Sequence, residues 1–225
     1  ASGARYRRTD IANLAEFEGT SVHYWASAIE SRLCAGQDIA LVGAGNSAGQ
    51  AVVYLARHVK KVWMIVRGAS LEATMSQYLV DRIRNLPNVE VLVRTEICGL
   101  DGEGDALSRV RWKNRDTGAE AAHAIRHLFL FIGADPNTDW LAGSGIDLDQ
   151  KGFIVTGHRD GGHALATSRD GVFAIGDVRA GSIKRVAAAV GEGAQVVAAL
   201  HAFLADARAS LDDVREMIGD AFDTG

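Results

Sequence analysis

The 225 residues of the chain suffice for one large or two modest domains, each with a core of its own. Hydrophobic residues make up 48% of the chain, as is ordinary for a soluble globular protein, and a formal net charge of −4 excludes a global basic field that would attract nucleic acid or an anionic membrane. No continuous apolar run approaches the ~18 residues that span a bilayer, and no signal-peptide pattern is present.

Strands and helices alternate through the middle of the chain. Residues 38–43 form an apolar run that ends at a glycine, which predicts a short buried strand. The elements predicted next are a helix over 47–58, a strand over 61–66, a helix over 72–86 that Pro87 stops, and a strand over 89–94. This alternation of strands and helices implies a parallel sheet with right-handed crossovers.

The pattern changes beyond residue 94. Residues 107–113 alternate apolar and polar side chains, and a turn at 116–118 leads to a second polar strand, which predicts a solvent-facing antiparallel hairpin. The predicted fold class is therefore α/β, a Rossmann-like parallel sheet with an antiparallel hairpin. The remaining predicted elements are strands over 127–132, 153–155 and 172–175, a long Ala/Val-rich helix over 183–204 and an amphipathic helix in the tail at 206–225.

A GxGxxA turn joins the first of these strands to its helix. Gly43 permits the tight turn, Gly45 lets the backbone approach a pyrophosphate, and Ala48 is small enough for helix and strand to pack. The unpaired N–H groups at the helix start, around Asn46 and Ser47, would face the anion together with the positive end of the helix dipole. The turn therefore predicts a dinucleotide site, and a tight turn without a ligand is the alternative interpretation.

The end of the second strand bears on the choice of nucleotide. A site for NAD usually places Asp or Glu roughly 20 residues past the glycines, where it binds the ribose 2′-hydroxyl. Here the strand ends in Ile65-Val66-Arg67-Gly68, which contains no acid. An arginine can donate charge-assisted hydrogen bonds to a 2′-phosphate, so Arg67 favours NADPH over NADH. A solvated arginine in a surface loop is the alternative.

Four further segments carry a resemblance that extends over about residues 2–204. They are SGA at 2–4, FIGADPNT at 131–138, GVFAIGD at 171–177 and RVA at 185–187. Together with the GxGxxA turn and Arg67, they resemble the TGA, IGxxPNT, GVFAxGD and RQA motifs of the low-molecular-weight thioredoxin reductase family. The flavoprotein relatives of that family, including ferredoxin–NADP reductases of the same architecture, share this resemblance.

The resemblance implies cofactors and a role for individual residues. NADPH would lie on the GxGxxA turn and Arg67, and Gly133 would mark the point where the chain leaves the NADPH domain. In the complete protein, Asp177, which follows Gly176 at a strand end, would bind the ribityl chain of FAD. The residues implied to lie beside the isoalloxazine ring are Arg185, Val186 and Ala187.

The resemblance also implies the domain organisation. An NAD(P)H-binding domain over 19–138 would be inserted between two pieces of an incomplete FAD-type domain, 1–18 and 139–205, followed by the tail at 206–225. Members of the family are usually homodimers through the FAD domain, and the sequence does not decide whether this chain keeps that contact. It also names no electron acceptor, whether small molecule or protein.

Three departures from the family pattern change the expected function. The stretch that matches the redox CxxC is WASA at 25–28, and neither Cys34 nor Cys98 can replace the pair, so reduction of thioredoxin by an internal dithiol is not expected. Of the family's arginines for the 2′-phosphate only Arg67 is present, with Gly68 and Glu72 at the other positions. The N-terminal FAD-binding GxGxxG segment is also missing, so we expect a fragment or a degenerate member that binds FAD weakly.

The sequence supports three hypotheses of function. The first is an NADPH-dependent flavoprotein reductase, in which hydride passes from NADPH to FAD and then to an acceptor other than an internal dithiol. The second is a ferredoxin- or flavodoxin-NADP reductase, and the third is an NADPH-binding regulatory module without turnover. No metal-ligand spacing and no catalytic triad occur, and two isolated cysteines predict a reducing cytoplasm as the location.

Overall fold

The computed structural model describes residues 1–157 and 163–222, with the backbone alone from 210 onward. The chain divides into two units, Tyr6–Gly133 and a second made of Ala1–Arg5 with Ala134–Gly225. The strands are β1 Ala4–Tyr6, β2 Val22–His23, β3 Asp38–Val42, β4 Lys61–Ile65, β5 Val89–Leu92, β6 Thr95–Glu103, β7 Ala106–Asn114, β8 Glu120–His123, β9 Leu128–Leu130 and β10 Ala134–Pro136. The helices are α1 Leu14–Phe17, α2 Ala28–Leu33, α3 Asn46–Leu55, α4 Gln77–Arg84 and α5 Val186–Phe222, with short 3₁₀ turns at Asp139–Leu141 and Gly176–Val178.

A five-stranded parallel sheet forms the centre of the unit Tyr6–Gly133, with strand order β2-β9-β3-β4-β5. Its strands are apolar at successive positions because both faces are buried. In β3, Ile39 and Leu41 pack with α3 and α4 on one face, whereas Ala40 and Val42 pack on the other. The predicted α/β fold with a parallel sheet is confirmed.

The second face of this sheet is covered by an antiparallel sheet of three strands, β6-β7-β8. The predicted hairpin forms its β7 and β8 strands, whereas β6 was not predicted. Two register shifts, at Ile97/Gly99 and at Asp101/Gly102, break the alternation of apolar and polar side chains along β6. Such a strand gives a weak sequence signal, although buried Leu100 and Leu107 anchor its hairpin with β7 in the core.

The helix predicted from residue 72 begins only at Gln77, so the predicted start is wrong by more than one turn. Tertiary contacts hold the preceding residues out of a helix. Leu71 and Met75 are buried, and the Met75 sulfur lies beside Gly49 of α3, where an added Cβ would be 2.8 Å away. The Ser76 N–H donates to Asn46 Oδ1 over 2.8 Å. Residues 71–76 therefore form a loop that packs on the start of α3.

In the second unit, β1 pairs with β10, and the strands predicted around 153–155 and 172–175 are reduced to isolated bridges at Ile154 and Phe173. The long helix starts at Val186, later than predicted, and runs without interruption to Phe222, past the predicted end at 204. No proline stands between residues 205 and 222 to stop it. Residues 223–225 of the predicted tail lie outside the described residues.

The sequence contains no continuous apolar run long enough to span a bilayer, yet helix α5 meets a criterion for membrane-spanning helices that rests on length and mean hydropathy. Over Val186–Ala209 its mean hydropathy is 1.4, so it is long and apolar enough to cross a membrane by length and composition, although Glu192 interrupts the apolar run. Only 6% of its most apolar stretch is buried, and Val186 and Val190 are 83% and 67% exposed. Core helices of soluble proteins meet the same test, so this criterion alone is weak evidence for a membrane span.

Candidate functional site

The predicted dinucleotide turn lies between β3 and α3, where Gly43 makes the closest backbone contact. Its φ is +150°, and an added Cβ would lie 2.5 Å from the carbonyl oxygen of Phe131 and 2.9 Å from Cβ of Ala48. The Gly43 N–H donates to the carbonyl of Ile65 on the neighbouring strand. Gly43 therefore brings β3, α3 and the end of β9 together at the carboxyl edge of the sheet.

The start of α3 is open. Gly45 is the N-cap, with φ −85° and ψ 175°, and no side chain caps the helix. An added Cβ on Gly45 would have no atom within 4 Å, so the space above this backbone is empty. Asn46 and Ser47 of the first turn are exposed, whereas Ala48 is fully buried. Exposed N–H groups at an uncapped helix start attract anions.

The loop before α4 holds this turn in place. The Thr74 hydroxyl donates to the carbonyl of Ala44 over 2.8 Å, and the Asn46 side chain accepts the N–H of Ser76. The Oδ1 atom of Asn46 is thus engaged within the fold, whereas the backbone N–H groups of the first turn of α3 remain for a ligand. A close contact between backbone and pyrophosphate needs a turn fixed in this manner.

Arg67 lies just beyond β4, at the same edge of the sheet, and its side chain is exposed. Within residues 1–157 and 163–209, whose side chains are described, it forms no ion pair. Glu72, which occupies a position where the resemblance expects arginine, pairs with Arg84. The structure thus brings the GxGxxA turn and Arg67 to one edge of one unit. Gly133, at φ +98°, closes the same unit and accepts the Arg7 N–H.

The predicted FAD residues belong to the other unit. Gly176, at φ +74°, begins a 3₁₀ turn in which Asp177 is half-buried and Val178 is buried. Asp177 has no hydrogen-bond or ion-pair partner among the described side chains. The side chains of Arg185, Val186 and Ala187, at the start of α5, are exposed. A half-buried carboxylate without a partner is available to accept hydrogen bonds from hydroxyl groups of a ligand.

Glu192 of α5 fixes this turn, a role that sequence analysis did not assign. Its carboxylate accepts the Gly176 N–H over 2.6 Å and two hydrogen bonds from Arg179, whose guanidinium also donates to the Thr156 hydroxyl over 3.1 Å. The side chains of Arg179 and Glu192 are 19% and 14% exposed. The hydrogen bonds from Arg179 lower the pKa of Glu192 and outweigh its burial, so the pair is charged at neutral pH.

Comparisons with known proteins decide the family. A family model for the pyridine nucleotide-disulphide oxidoreductases matches residues 1–193. The chain belongs to that family. An alkyl hydroperoxide reductase subunit of Pseudomonas putida is 35% identical over 203 residues, which are 90% of this chain and 37% of that protein. The NADH dehydrogenase of Bacillus subtilis is 30% identical over 203 residues, which are 90% of this chain and 38% of that protein.

The solved structures agree. Thioredoxin reductase from Giardia duodenalis matches with a TM-score of 0.74 and 27% identity, over 90% of this chain and 64% of that one. The predicted likeness to the thioredoxin reductases, which use FAD and NADPH, is therefore confirmed. The chain spans less than two fifths of the length of the two curated relatives above.

The residues at this edge of the parallel sheet fit a bound dinucleotide. The space above Gly45 is open, α3 begins without a side-chain cap, and Arg67 at the end of β4 has no ion-pair partner among the described side chains. In the second unit, the carboxylate of Asp177 likewise has no partner among the described side chains. These groups would hold the phosphates of the nicotinamide cofactor and the hydroxyl groups of FAD.

The stretch at 25–28, where the resemblance expects a redox pair, holds a helix cap. Ser27 is the N-cap of α2, its hydroxyl accepts the Ile29 N–H, and Glu30 accepts both the N–H of Ser27 and the indole N–H of Trp25. Cys34 and Cys98 are both free. Burial raises the pKa of Cys34 to about 12 and also raises that of Cys98. Neither sulfur is poised as a thiolate nucleophile.

A histidine pair lies beside α2 at the edge of the parallel sheet. The Nε2 atom of His23 and the Nδ1 atom of His127 are 3.1 Å apart, and the two rings stack. Burial, followed by the proximity of His127, lowers the pKa of His23 to about 4, while Glu30 opposes this shift. Burial also lowers the pKa of His127, with Arg126 acting in the same direction. Both rings are therefore neutral at pH 7.

Acid is expected to destabilise the fold through this pair. The pKa of His23 is near 6.5 in an unfolded chain and about 4 in the fold, so the unfolded state takes up the proton first as the pH falls. The stabilisation is complete above pH 6.5 and decreases toward pH 4, with a contribution from His23 of about 2 kcal/mol lost at pH 5. Urea unfolding at pH 7.5 and pH 5 measures this decrease in the free energy of unfolding. The loss should shrink in His23→Gln and persist in the exposed control His201→Gln; an equal loss in both variants would contradict the assignment.

Proposed function

We propose that this chain carries the nicotinamide-binding site, and part of the FAD-binding site, of an NADPH-dependent flavoprotein reductase. The observation that carries the proposal is the open, uncapped start of α3 at the GxGxxA turn, with Arg67 at the same sheet edge. When bound, FAD would supply a two-electron centre that accepts hydride from NADPH and passes electrons to an acceptor.

The chain's own residues would bind and orient the cofactors. The backbone N–H groups after Gly45 would hold the pyrophosphate, with the helix dipole adding to the attraction. Arg67 would bind the 2′-phosphate by charge-assisted hydrogen bonds. Asp177 would accept hydrogen bonds from ribityl hydroxyl groups, on the 3₁₀ turn that Glu192 holds. No general base is needed for this chemistry.

The acceptor in this proposal is not reduced by an internal dithiol. The matching stretch contains Ser27 as a helix cap, and the two free cysteines have raised pKa values. Free cysteines also fit a reducing compartment, so we place the protein in the cytoplasm. Its net charge of −4 supports neither nucleic acid nor an anionic membrane as a partner.

The visible absorption spectrum tests this function. The purified 225-residue chain is incubated with excess FAD, desalted, and then treated with NADPH under anaerobic conditions. A colourless protein that still changes NADPH fluorescence is the expected result, because the chain carries the nicotinamide-binding site and only part of the FAD-binding site. A retained flavin band that bleaches on addition of NADPH would show instead that this chain completes the FAD-binding site by itself and works as a reductase. A chain that binds neither cofactor would overturn the proposal.

A further inference from the structure

A second arginine, Arg115, contacts the backbone of Arg67, although it lies outside the strand–helix–strand unit formed by β3, α3 and β4. Arg115 follows β7, and its Nη1 atom donates to the carbonyl oxygen of Arg67 over 3.5 Å. The backbone holds it there, because the Arg115 N–H donates to the carbonyl of Arg94 over 2.7 Å. The Arg94 N–H in turn donates to the carbonyl of Gly68 over 2.8 Å. The turn after β7 is thus connected by hydrogen bonds to the end of β4.

The side chains around Gly68, at the end of β4 and in the turn after β7, carry a net positive charge. Arg94 pairs with Asp116 over 3.0 Å, and the Nε atom of Arg115 lies 3.3 Å from Glu96. Glu96 also pairs with Lys113, so one carboxylate serves two cations. Since Arg67 has no carboxylate partner in the described part of the chain, the cations outnumber the acids around Gly68.

This edge has room for a ligand. The side chain of Arg115 is 52% exposed, and its contacts through Nε with Glu96 and through Nη1 with the Arg67 carbonyl leave the Nη2 atom for a ligand. Gly68, which follows Arg67, adds no side chain, and an added Cβ would meet only the Ser70 carbonyl at 3.8 Å. Glu72, the nearest acid of the loop in sequence, is occupied by Arg84.

We propose that Arg115 acts with Arg67 to bind the 2′-phosphate of NADPH and so determines the preference for NADPH over NADH. In a Rossmann unit the 2′-position of the adenosine ribose lies at the end of the second strand, which is β4 here. Two guanidinium groups can contact one phosphate from both sides with directed hydrogen bonds. Arg115 thereby compensates for the arginines of the family pattern that are absent at positions 68 and 72, where Gly68 and Glu72 stand. The inference rests on the proposed binding of NADPH.

Titration of the full chain with NADPH and with NADH, followed by nicotinamide fluorescence, tests the assignment. Arg115→Ala is expected to weaken NADPH binding about tenfold and leave NADH binding within twofold of the wild type. Arg115→Lys should recover part of the loss, because a lysine keeps the charge without the planar fork. Arg109→Ala, an exposed arginine of β7 away from Gly68, is the matched control and should behave as the wild type.

A second readout isolates the 2′-phosphate. Adenosine 2′,5′-bisphosphate and AMP are each used to displace bound NADPH, and their affinities are compared. A wild-type preference for NADPH that Arg115→Ala retains would overturn the role of Arg115 while leaving the proposed function intact. Equal weakening of both nucleotides would show that Arg115 merely supports the loop, which also overturns the inference. A wild-type chain without preference for NADPH would remove the proposed nucleotide specificity itself.

Discussion

Replacing Gly43 by alanine is expected to lower the free energy of unfolding by roughly 3 kcal/mol or more, the combined effect of backbone strain and overpacking. The added methyl group would meet the Phe131 carbonyl oxygen at 2.5 Å and Ala48 Cβ at 2.9 Å, and both neighbours belong to the packed sheet and helix. Neither can retreat without displacing β9 or α3. Urea unfolding of Gly43→Ala, followed by far-UV circular dichroism, measures the loss.

Gly45→Ala is the matched control because the same methyl group would meet nothing there. The φ of Gly45 is −85°, which alanine adopts readily, so stability should change by less than about 1 kcal/mol. NADPH binding should nevertheless weaken at least tenfold, since the methyl group would occupy the space for the pyrophosphate. A Gly43→Ala protein as stable as Gly45→Ala would contradict the tight packing described here.

The contrast between these glycines shows how far sequence alone could predict the site. A continuous apolar strand ending in GxGxxA is a local pattern, so β3, the turn and α3 were predicted close to their observed limits. The sequence could not distinguish a glycine required by packing from a glycine that leaves space for a ligand. That distinction depends on Phe131, which is remote in sequence and becomes a neighbour of Gly43 only through β9.

The incorrect or missing predictions have a common physical cause. The loop before α4 is helical in pattern, but Met75 and Ser76 are held by α3, so tertiary contacts override local propensity. Arg115 lies 48 residues from Arg67 in sequence, and no local motif connects them. Glu192 is one charged residue in a long apolar helix, and its partner Arg179 precedes that helix. Each contact exists only once separate elements have packed.

Glu192→Ala is expected to lower the free energy of unfolding by about 3 kcal/mol or more, because it leaves a mostly buried guanidinium with only a hydroxyl partner. Arg179 would keep the Thr156 hydroxyl, and the Gly176 N–H would lose its acceptor. Glu192→Gln should lose less, since an amide oxygen can still accept the Gly176 N–H. Thermal and urea unfolding of the three proteins measure the series.

Two controls separate burial of the pair from charge in general. Glu90→Ala breaks the exposed pair that Glu90 forms with Lys61 and should change stability by less than about 1 kcal/mol. The double variant Arg179→Met/Glu192→Leu should regain much of the stability lost in Glu192→Ala, because two apolar side chains need no partner charge. If instead the double variant were as unstable as Glu192→Ala, the loss would come from the Gly176 N–H, and the turn that carries Asp177 would depend on that single hydrogen bond.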